Sequence, residues 1–516
     1  MANIWVVTIV GGFIACLLAG FLIWYIPHEM ERRNILKAAK ASLKNADQLL
    51  ERELYESALD IYKELGKKIK PNDNVEIYAH TKRNEGRCYL GLAYQQNRQT
   101  NVYMGITALE EALSIQKKKS LRLEASVTQC YLGMAYIVLS YMKSTEDNQR
   151  QAARLIEDAF TIADNLKIED RDSIKRIMAD ACLSLAQVKD AENNVTRAIS
   201  LYQQSVKVLG PQLFPFLWAQ IQNNLGTAYR LLSEVRDKEE NLAKSLHAFQ
   251  EGMKTATVET YPLLYSSLVD NLGLSYFTLA YVRDRNENLN RAIQAHEEAL
   301  KVRTREKYPI LYAGSKNNLG CALTFYEYKT SQDAEKGLHA AIGAFEESLK
   351  IKNIEEFPLD YAKTENNLHG AYLSLAAIKD TERNFFNSIQ ASEQALRVYT
   401  IDKYPVFHAR CKGNLGVAYM ALSVATNRQE YAAKAIDLFM ESIKICTLDS
   451  YPLFYANIQG HMGDAYIVLS GFENRKHYLL EGIKAYEECL KIYTPDNSSD
   501  YLKIKKKYQD AKRRLK

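Results

Sequence analysis

The sequence predicts an all-α solenoid of about ten helix pairs, preceded by one transmembrane helix. Three observations lead there. The phrase 223-NNLGTAY-229 returns as 270-DNLGLSY-276, 317-NNLGCAL-323, 366-NNLHGAY-372 and 413-GNLGVAY-419. A second phrase, 292-AIQAHEEALKV-302, keeps step with it as 341-AIGAFEESLKI-351, 388-SIQASEQALRV-398, 435-AIDLFMESIKI-445 and 482-GIKAYEECLKI-492. No segment alternates apolar and polar residues as a half-buried strand does. In chain order this gives an anchor over residues 1–30, a repeat array over 31–497 and a basic capping helix over 498–516.

The anchor comes first. Residues 4-IWVVTIVGGFIACLLAGFLIWYI-26 carry no charge. A helix of that length spans roughly 34 Å, enough to cross a bilayer core. Trp5, Trp24 and Tyr25 sit near its ends, where amphipathic rings favour the interface. A cleaved signal peptide has a basic start and a small-residue exit, and neither is present. No Lys or Arg precedes the span, whereas Arg32, Arg33, Lys37, Lys40 and Lys44 follow it. That asymmetry predicts a single-pass protein with its N-terminus outside and the array in the cytoplasm.

The array follows. Aligning the first phrase marks Gly86, Gly133, Asp180, Gly226, Gly273, Gly320, His369, Gly416 and Gly463, at steps of 47, 47, 46, 47, 47, 49, 47 and 47 residues. An earlier unit begins near residue 35. The first helix of later units opens on an aromatic–Pro pair, as in 214-FPFLWA, 261-YPLLYS, 308-YPILYA, 357-FPLDYA, 404-YPVFHA and 451-YPLFYA. Proline is tolerated just inside a helix start, because its missing N–H has no partner there anyway. Polar connectors such as 236-RDKEEN-241, 283-RDRNEN-288 and 379-KDTERN-384 lead into the second helix. Its apolar residues recur at three- and four-residue steps, as in Ile293, His296/Glu297, Leu300 and Val302. Glycine within a helix costs about 1 kcal/mol against alanine, so its recurrence calls for a packing reason. The expected one is close approach of the two helices, with the tyrosine three residues on filling the adjacent gap.

These motifs resemble those of the tetratricopeptide repeat (TPR) family. Its pairing of L-G-x-x-Y in one helix with a small–aromatic–small pattern in the next is matched by Leu225, Gly226 and Tyr229 with Ser245, Phe249 and Gly252. From Gly226 to Ser245 the gap is 19 residues, seven more than in the short motif. Ala46 to Ala58 keeps the short gap of 12. The longer units are similar to those of kinesin light chains and of bacterial N-N-L-G arrays. The resemblance implies a right-handed α-α superhelix with the first helices lining a concave face. It also implies a bacterial inner membrane for the anchor.

A row of asparagines then gains meaning. Asn224, Asn271, Asn318, Asn367 and Asn414, continued by His461, recur once per unit, so stacking sets them in a line. An amide side chain offers a donor and an acceptor together, and the resemblance implies a peptide-binding role for the row. The alternative is that each Asn bonds a neighbouring helix and fixes stacking register. Four residues earlier stand Gln220, Ser267, Gly314, Lys363, Arg410 and Asn457, of which Lys363 and Arg410 suit an acidic group on a ligand. His80, Arg83, Asn84 and Arg87 share a helix face and suit a carboxylate.

Composition narrows the function. The 516 residues carry a net charge of +5, but residues 503–516 alone carry +7, so the rest is at −2. Basicity belongs to the tail, and the body lacks the charge of a nucleic-acid-binding surface. Tyr501, Ile504, Tyr508, Ala511 and Leu515 share a face there, the pattern of a helix that caps a solenoid. The eight cysteines, at 16, 88, 130, 182, 321, 411, 446 and 489, form no C-x-x-C pair and read as buried thiols. No phosphate loop, zinc-ligand pair or nucleophile motif is present. The expectation is therefore a non-enzymatic module, without cofactor or metal, that recruits a protein or extended peptide. Scaffolding of a membrane complex through convex or edge surfaces is the alternative.

Overall fold

The computed structural model describes residues 30–142, 146–166, 168–495 and 500–515. The expected anchor at 4–26 lies outside them, and among the described residues no helix is long and apolar enough to cross a membrane. The chain divides into two compact units: Met1–Val138 with Asp147–Lys207, and Leu139–Glu146 with Val208–Lys516. Among the described residues the secondary structure is helical throughout.

Apart from residues 139–146 and Val208, the first unit holds α1 (residues 30–51), α2 (Tyr55–Lys68), α3 (Val75–Leu92), α4 (Arg98–Lys118), α5 (Arg122–Met142), α6 (Glu146–Asp164), α7 (Ile168–Leu185) and α8 (Ala191–Val208). The second holds the pairs α9 (Pro215–Leu232) with α10 (Lys238–Met253), α11 (Pro262–Leu279) with α12 (Arg285–Val302), and α13 (Pro309–Phe325) with α14 (Ser331–Leu349). It continues with α15 (Pro358–Ala376) and α16 (Thr381–Leu396), α17 (Pro405–Thr426) and α18 (Gln429–Ile445), and α19 (Pro452–Leu469) and α20 (Arg475–Leu490), closing on α21 (Tyr501–Leu515).

The aromatic–Pro pairs start the first helices as expected, with Pro215, Pro262, Pro309, Pro358, Pro405 and Pro452 inside the first turn. The aromatic before each proline makes no side-chain cap. It packs instead: Tyr261 meets Phe216 edge-on at 5.1 Å, and Phe357 is buried. The connectors to the second helix are more specific than polar composition suggests. Asn97, Asp190, Asp237, Asp284 and Asp380 hold left-handed backbone, with φ between 42° and 47°. Short polar side chains tolerate that conformation better than most. Four residues on, Asn101, Asn194, Asn241, Asn288 and Asn384 each donate Nδ2 to the carbonyl just before the turn, at 2.7–2.9 Å.

The recurring glycine is helical everywhere, and no glycine among the described residues has positive φ. It marks close approach of the second helix, as expected, but the side chain that fills the space is not the tyrosine three residues on. A Cβ on Gly226, Gly320, Gly416 or Gly463 would lie 2.5–2.7 Å from the ring of Phe249, Phe345, Phe439 or Tyr486. The second helix thus seats one bulky side chain flat on the first. In the first unit Leu109 and Ile156 take that seat on Gly86 and Gly133. One pair reverses the arrangement: His369 brings the ring from the first helix, and Ser388 and Ser392 make room, with their Oγ atoms 2.8 and 2.9 Å from His369 Nδ1. The tyrosine three residues on lies nearer the surface at Tyr229 and Tyr276, which Lys244 and Arg291 cover at 5.8 and 5.5 Å, whereas Tyr419, under Lys434 at 4.1 Å, is buried. A long side chain with a polar head fits that half-exposed position better than the glycine gap.

At the C-terminal end, Ile504 and Ala511 of α21 are buried, and Tyr501, Tyr508 and Leu515 pack beside them on Ile483, Tyr486, Cys489 and Tyr493. Leu502 and most of the lysines face outward.

Candidate functional site

In the second unit the asparagine row lies along α9, α11, α13, α15 and α17. Asn271 Nδ2 donates to Asn223 Oδ1 at 2.9 Å, and Asn318 Nδ2 to Asp270 Oδ2 at 3.3 Å. Asn367 Nδ2 donates to Asn317 Oδ1 at 3.0 Å, and Asn414 Nδ2 to Asn366 Oδ1 at 2.9 Å. Each amide therefore bonds the side chain that precedes its counterpart in the previous repeat. Asn224 Oδ1 accepts from Asn223 Nδ2 at 3.1 Å. The next acceptor position is Gly413, which has no side chain, and the row stops. His461 stacks instead on Phe439 with ring centroids 6.1 Å apart, and burial holds its imidazole below its ordinary pKa. The acceptors Asn223, Asp270, Asn317 and Asn366 were missed in the sequence, though their own recurrence beside the row was the available signal.

The cations of these repeats fall into two groups. Lys316, Lys352 and Lys412 are paired with Glu347, Asp360 and Glu441 at 2.7, 3.2 and 2.8 Å. Lys363 and Arg410 are exposed, and neither has a carboxylate at ion-pair distance among the described residues; Arg410 lies 5.8 Å over the Phe454 ring. The neighbouring Phe407 is 50% exposed, stacked on Tyr399 at 5.1 Å. Gly370, one turn beyond Asn367 and two beyond Lys363, is open, with nothing within 4 Å of where a Cβ would stand. No packing explains that glycine.

The first unit builds a different cluster. Asp47 accepts from Tyr62 Oη at 2.5 Å, from Asn84 Nδ2 at 2.8 Å and from His80 Nε2 at 3.0 Å. Burial opposes the Asp47 charge, yet these bonds, His80 foremost, hold its carboxyl below the usual range. Arg83 Nη2 donates to His80 Nδ1 at 3.0 Å. Arg87 donates Nη1 to Asn84 Oδ1 at 3.1 Å and lies 4.8 Å over the Tyr131 ring. Asn84 is buried with its amide engaged on both sides, so it does not face a ligand, contrary to the sequence expectation. Arg83 and Arg87 remain half-buried with no carboxylate partner among the described residues, and the Arg83 Nε is buried without a hydrogen bond.

One buried network has the elements of a catalytic dyad but not the access. Asp270 accepts from His296 Nδ1 at 2.8 Å and from Arg303 Nη1 at 3.0 Å. Arg303 also bonds Ser266, Ser267 and Ser315. His296 is fully buried, its ring seated on Gly273 where other repeats place Phe or Tyr, and no substrate reaches it. Among the described residues no group of His, Cys, Asp and Glu side chains has the arrangement of a metal site. The seven described cysteines are free thiols, and burial raises Cys88 and Cys411 to about 12.

The architecture is that of a helical repeat array. No protein-family model matches the sequence, and no curated protein does. Solved structures with similar folds include TPR proteins, among them the C-terminal part of a TPR repeat-containing protein from Cytophaga hutchinsonii. It is 12% identical over 62% of this chain and 97% of that one, with a TM-score of 0.34. The human IFIT1 dimer with m7Gppp-AAAA is 14% identical over 86% and 88%, at 0.43. The Rap protein complexed with competence and sporulation factor is 9% identical over 77% and 99%, at 0.37. At such identities and scores the likeness is one of fold alone.

Proposed function

We propose that this chain is a membrane-anchored protein-interaction module that holds an acidic, extended segment of a partner on the first-helix face of its second unit. The observation that carries the reading is the pair of exposed cations, Lys363 and Arg410, on helices tied by the Asn414–Asn366 bond. Lys316, Lys352 and Lys412 of the same repeats are instead neutralised within the fold. Unpaired surface cations gain most from an oppositely charged ligand, which supplies specificity and association rate. The open backbone at Gly370 lets a chain approach closely, and Phe407 offers an apolar contact beside it. Carbonyl oxygens of the asparagine row would accept from the ligand backbone, while the amide nitrogens keep the helices in register.

Anchoring through residues 4–26, with the array on the cytoplasmic side of a bacterial inner membrane, belongs to the same proposal. It is supported by the uncharged run and by the arginines and lysines that follow it. The test is capture of partner protein by the 516-residue chain and by K363E/R410E. Capture should fall at least about tenfold, a difference of 1.4 kcal/mol, with helicity unchanged. Equal capture contradicts the reading.

A second reading, scaffolding through an edge, is favoured by one patch. Phe277, Tyr281 and Phe325 meet edge-on at 5.5–6.0 Å, with Tyr281 and Phe325 exposed. A photo-crosslinker at position 281 that traps the partner, while one at 410 does not, would favour it.

A further inference from the structure

The guanidinium pair of the first unit is independent of that face. Arg83 and Arg87 stand one turn apart on α3, and their charges work against each other: burial first, and then Arg87, lower the pKa of Arg83. Nearby charges are already engaged. Arg176 is paired with Asp180 at 3.0 Å, Tyr202 Oη donates to Asp180 at 2.6 Å, and Asp47 is held by its three donors. Each of the two arginines uses one N–H donor within the fold, Arg83 on His80 and Arg87 on Asn84. The Tyr131 ring lies 4.8 Å from the Arg87 guanidinium, a contact with the charge that uses none of its N–H donors in a hydrogen bond to another residue.

We infer that Arg83 and Arg87 form a binding site for a single phosphate monoester, carried on a phosphorylated side chain of a protein. One guanidinium fork already saturates the two oxygens of a carboxylate, whereas two forks match the three acceptor oxygens of a phosphate. Arginine also suits the planar, bidentate geometry better than lysine. A nucleic-acid strand fits less well, because a line of phosphates would run on past Asp47 and Glu124, both close enough to act on the Arg83 charge. An isolated phosphate meets both cations and carries no neighbouring phosphates into those carboxylates.

The experiment is calorimetric titration of the 516-residue chain in detergent micelles with N-acetyl-phosphoserine N-methylamide. The same titration uses the N-acetyl-glutamate analogue and a ten-residue oligodeoxyadenylate, all at one ionic strength. The phosphoserine probe should bind, and R83Q/R87Q should weaken it at least about tenfold. R83K/R87K keeps both charges, guards against a folding defect, and should still lose several-fold because the forks are gone. K363Q/R410Q should bind as the parent does, which separates this site from the partner-binding face. Equal binding by the parent and both arginine variants overturns the site. Glutamate binding as tight as phosphoserine makes it a carboxylate site, and tighter oligonucleotide binding makes it a nucleic-acid site; either overturns the assignment.

Discussion

The asparagine row of the second unit and the arginine pair of the first both stand on first helices, in different repeats, and they treat polarity in opposite ways. In the row every amide nitrogen from Asn271 to Asn414 finds an acceptor on the preceding repeat. At the pair, two guanidiniums share one helix face without an anion at ion-pair distance among the described residues. The row repeats because stacking repeats. The arginines occur once, at positions where other repeats carry Cys130 and Met134 or Asn223 and Thr227. Periodic polar residues therefore hold the solenoid together, and solitary unpaired charges mark where a ligand can add something the fold does not supply.

Breaking the row at its charged member should have the largest effect. Asp270 accepts from Asn318, His296 and Arg303 at once. D270N leaves Arg303 buried without its counter-ion, and should cost about 3–5 kcal/mol in a denaturant titration. A loss below about 1 kcal/mol would place that network outside the stabilising set.

Acid sharpens the same contrast at His369, whose polar atoms face two serines inside the array. Burial lowers its pKa to about 4, so the folded chain favours the neutral ring. The unfolded chain binds that proton near pH 6.5. The stability is complete above pH 6.5 and declines as pH falls toward 4, by about 3 kcal/mol in all. H369Q should flatten that part of the stability–pH profile.

The same substitution at two glycines separates structural from open positions. G226A drives a methyl into the Phe249 ring and should destabilise by about 1–3 kcal/mol. G370A meets nothing within 4 Å and should stabilise by up to about 1 kcal/mol through helix propensity. If ligand contact is the reason for Gly370, G370A should also weaken partner capture.

Much of this is legible in the amino acids themselves. The 47-residue step marks the helix pairs, the aromatic–Pro pairs mark the helix starts, and helical spacing puts Arg83 beside Arg87. The turn at Asp237 with Asn241 is legible too, but only as a polar connector, because its chemistry lies in a backbone φ that composition does not reveal. Two features depend on three-dimensional offset. The glycine's partner is a ring 23 residues later, as in Gly226 with Phe249, and the row's acceptor sits 48 residues back, as in Asn271 with Asn223. Arg303 has no periodic signal, since equivalent positions hold Ala256, Lys352 and Cys446.

The division between structural amides and ligand-facing cations is tested most directly by melting two variants side by side. Replacing Asn271, Asn318 and Asn367 together by Ala removes three inter-helix bonds at about 1 kcal/mol each. Alanine's helix propensity returns about 0.5 kcal/mol at each site. The melting temperature of that triple variant should be about 3–6 °C lower, with K363Q/R410Q melting where the parent does. An unchanged triple variant beside a destabilised K363Q/R410Q would contradict that division.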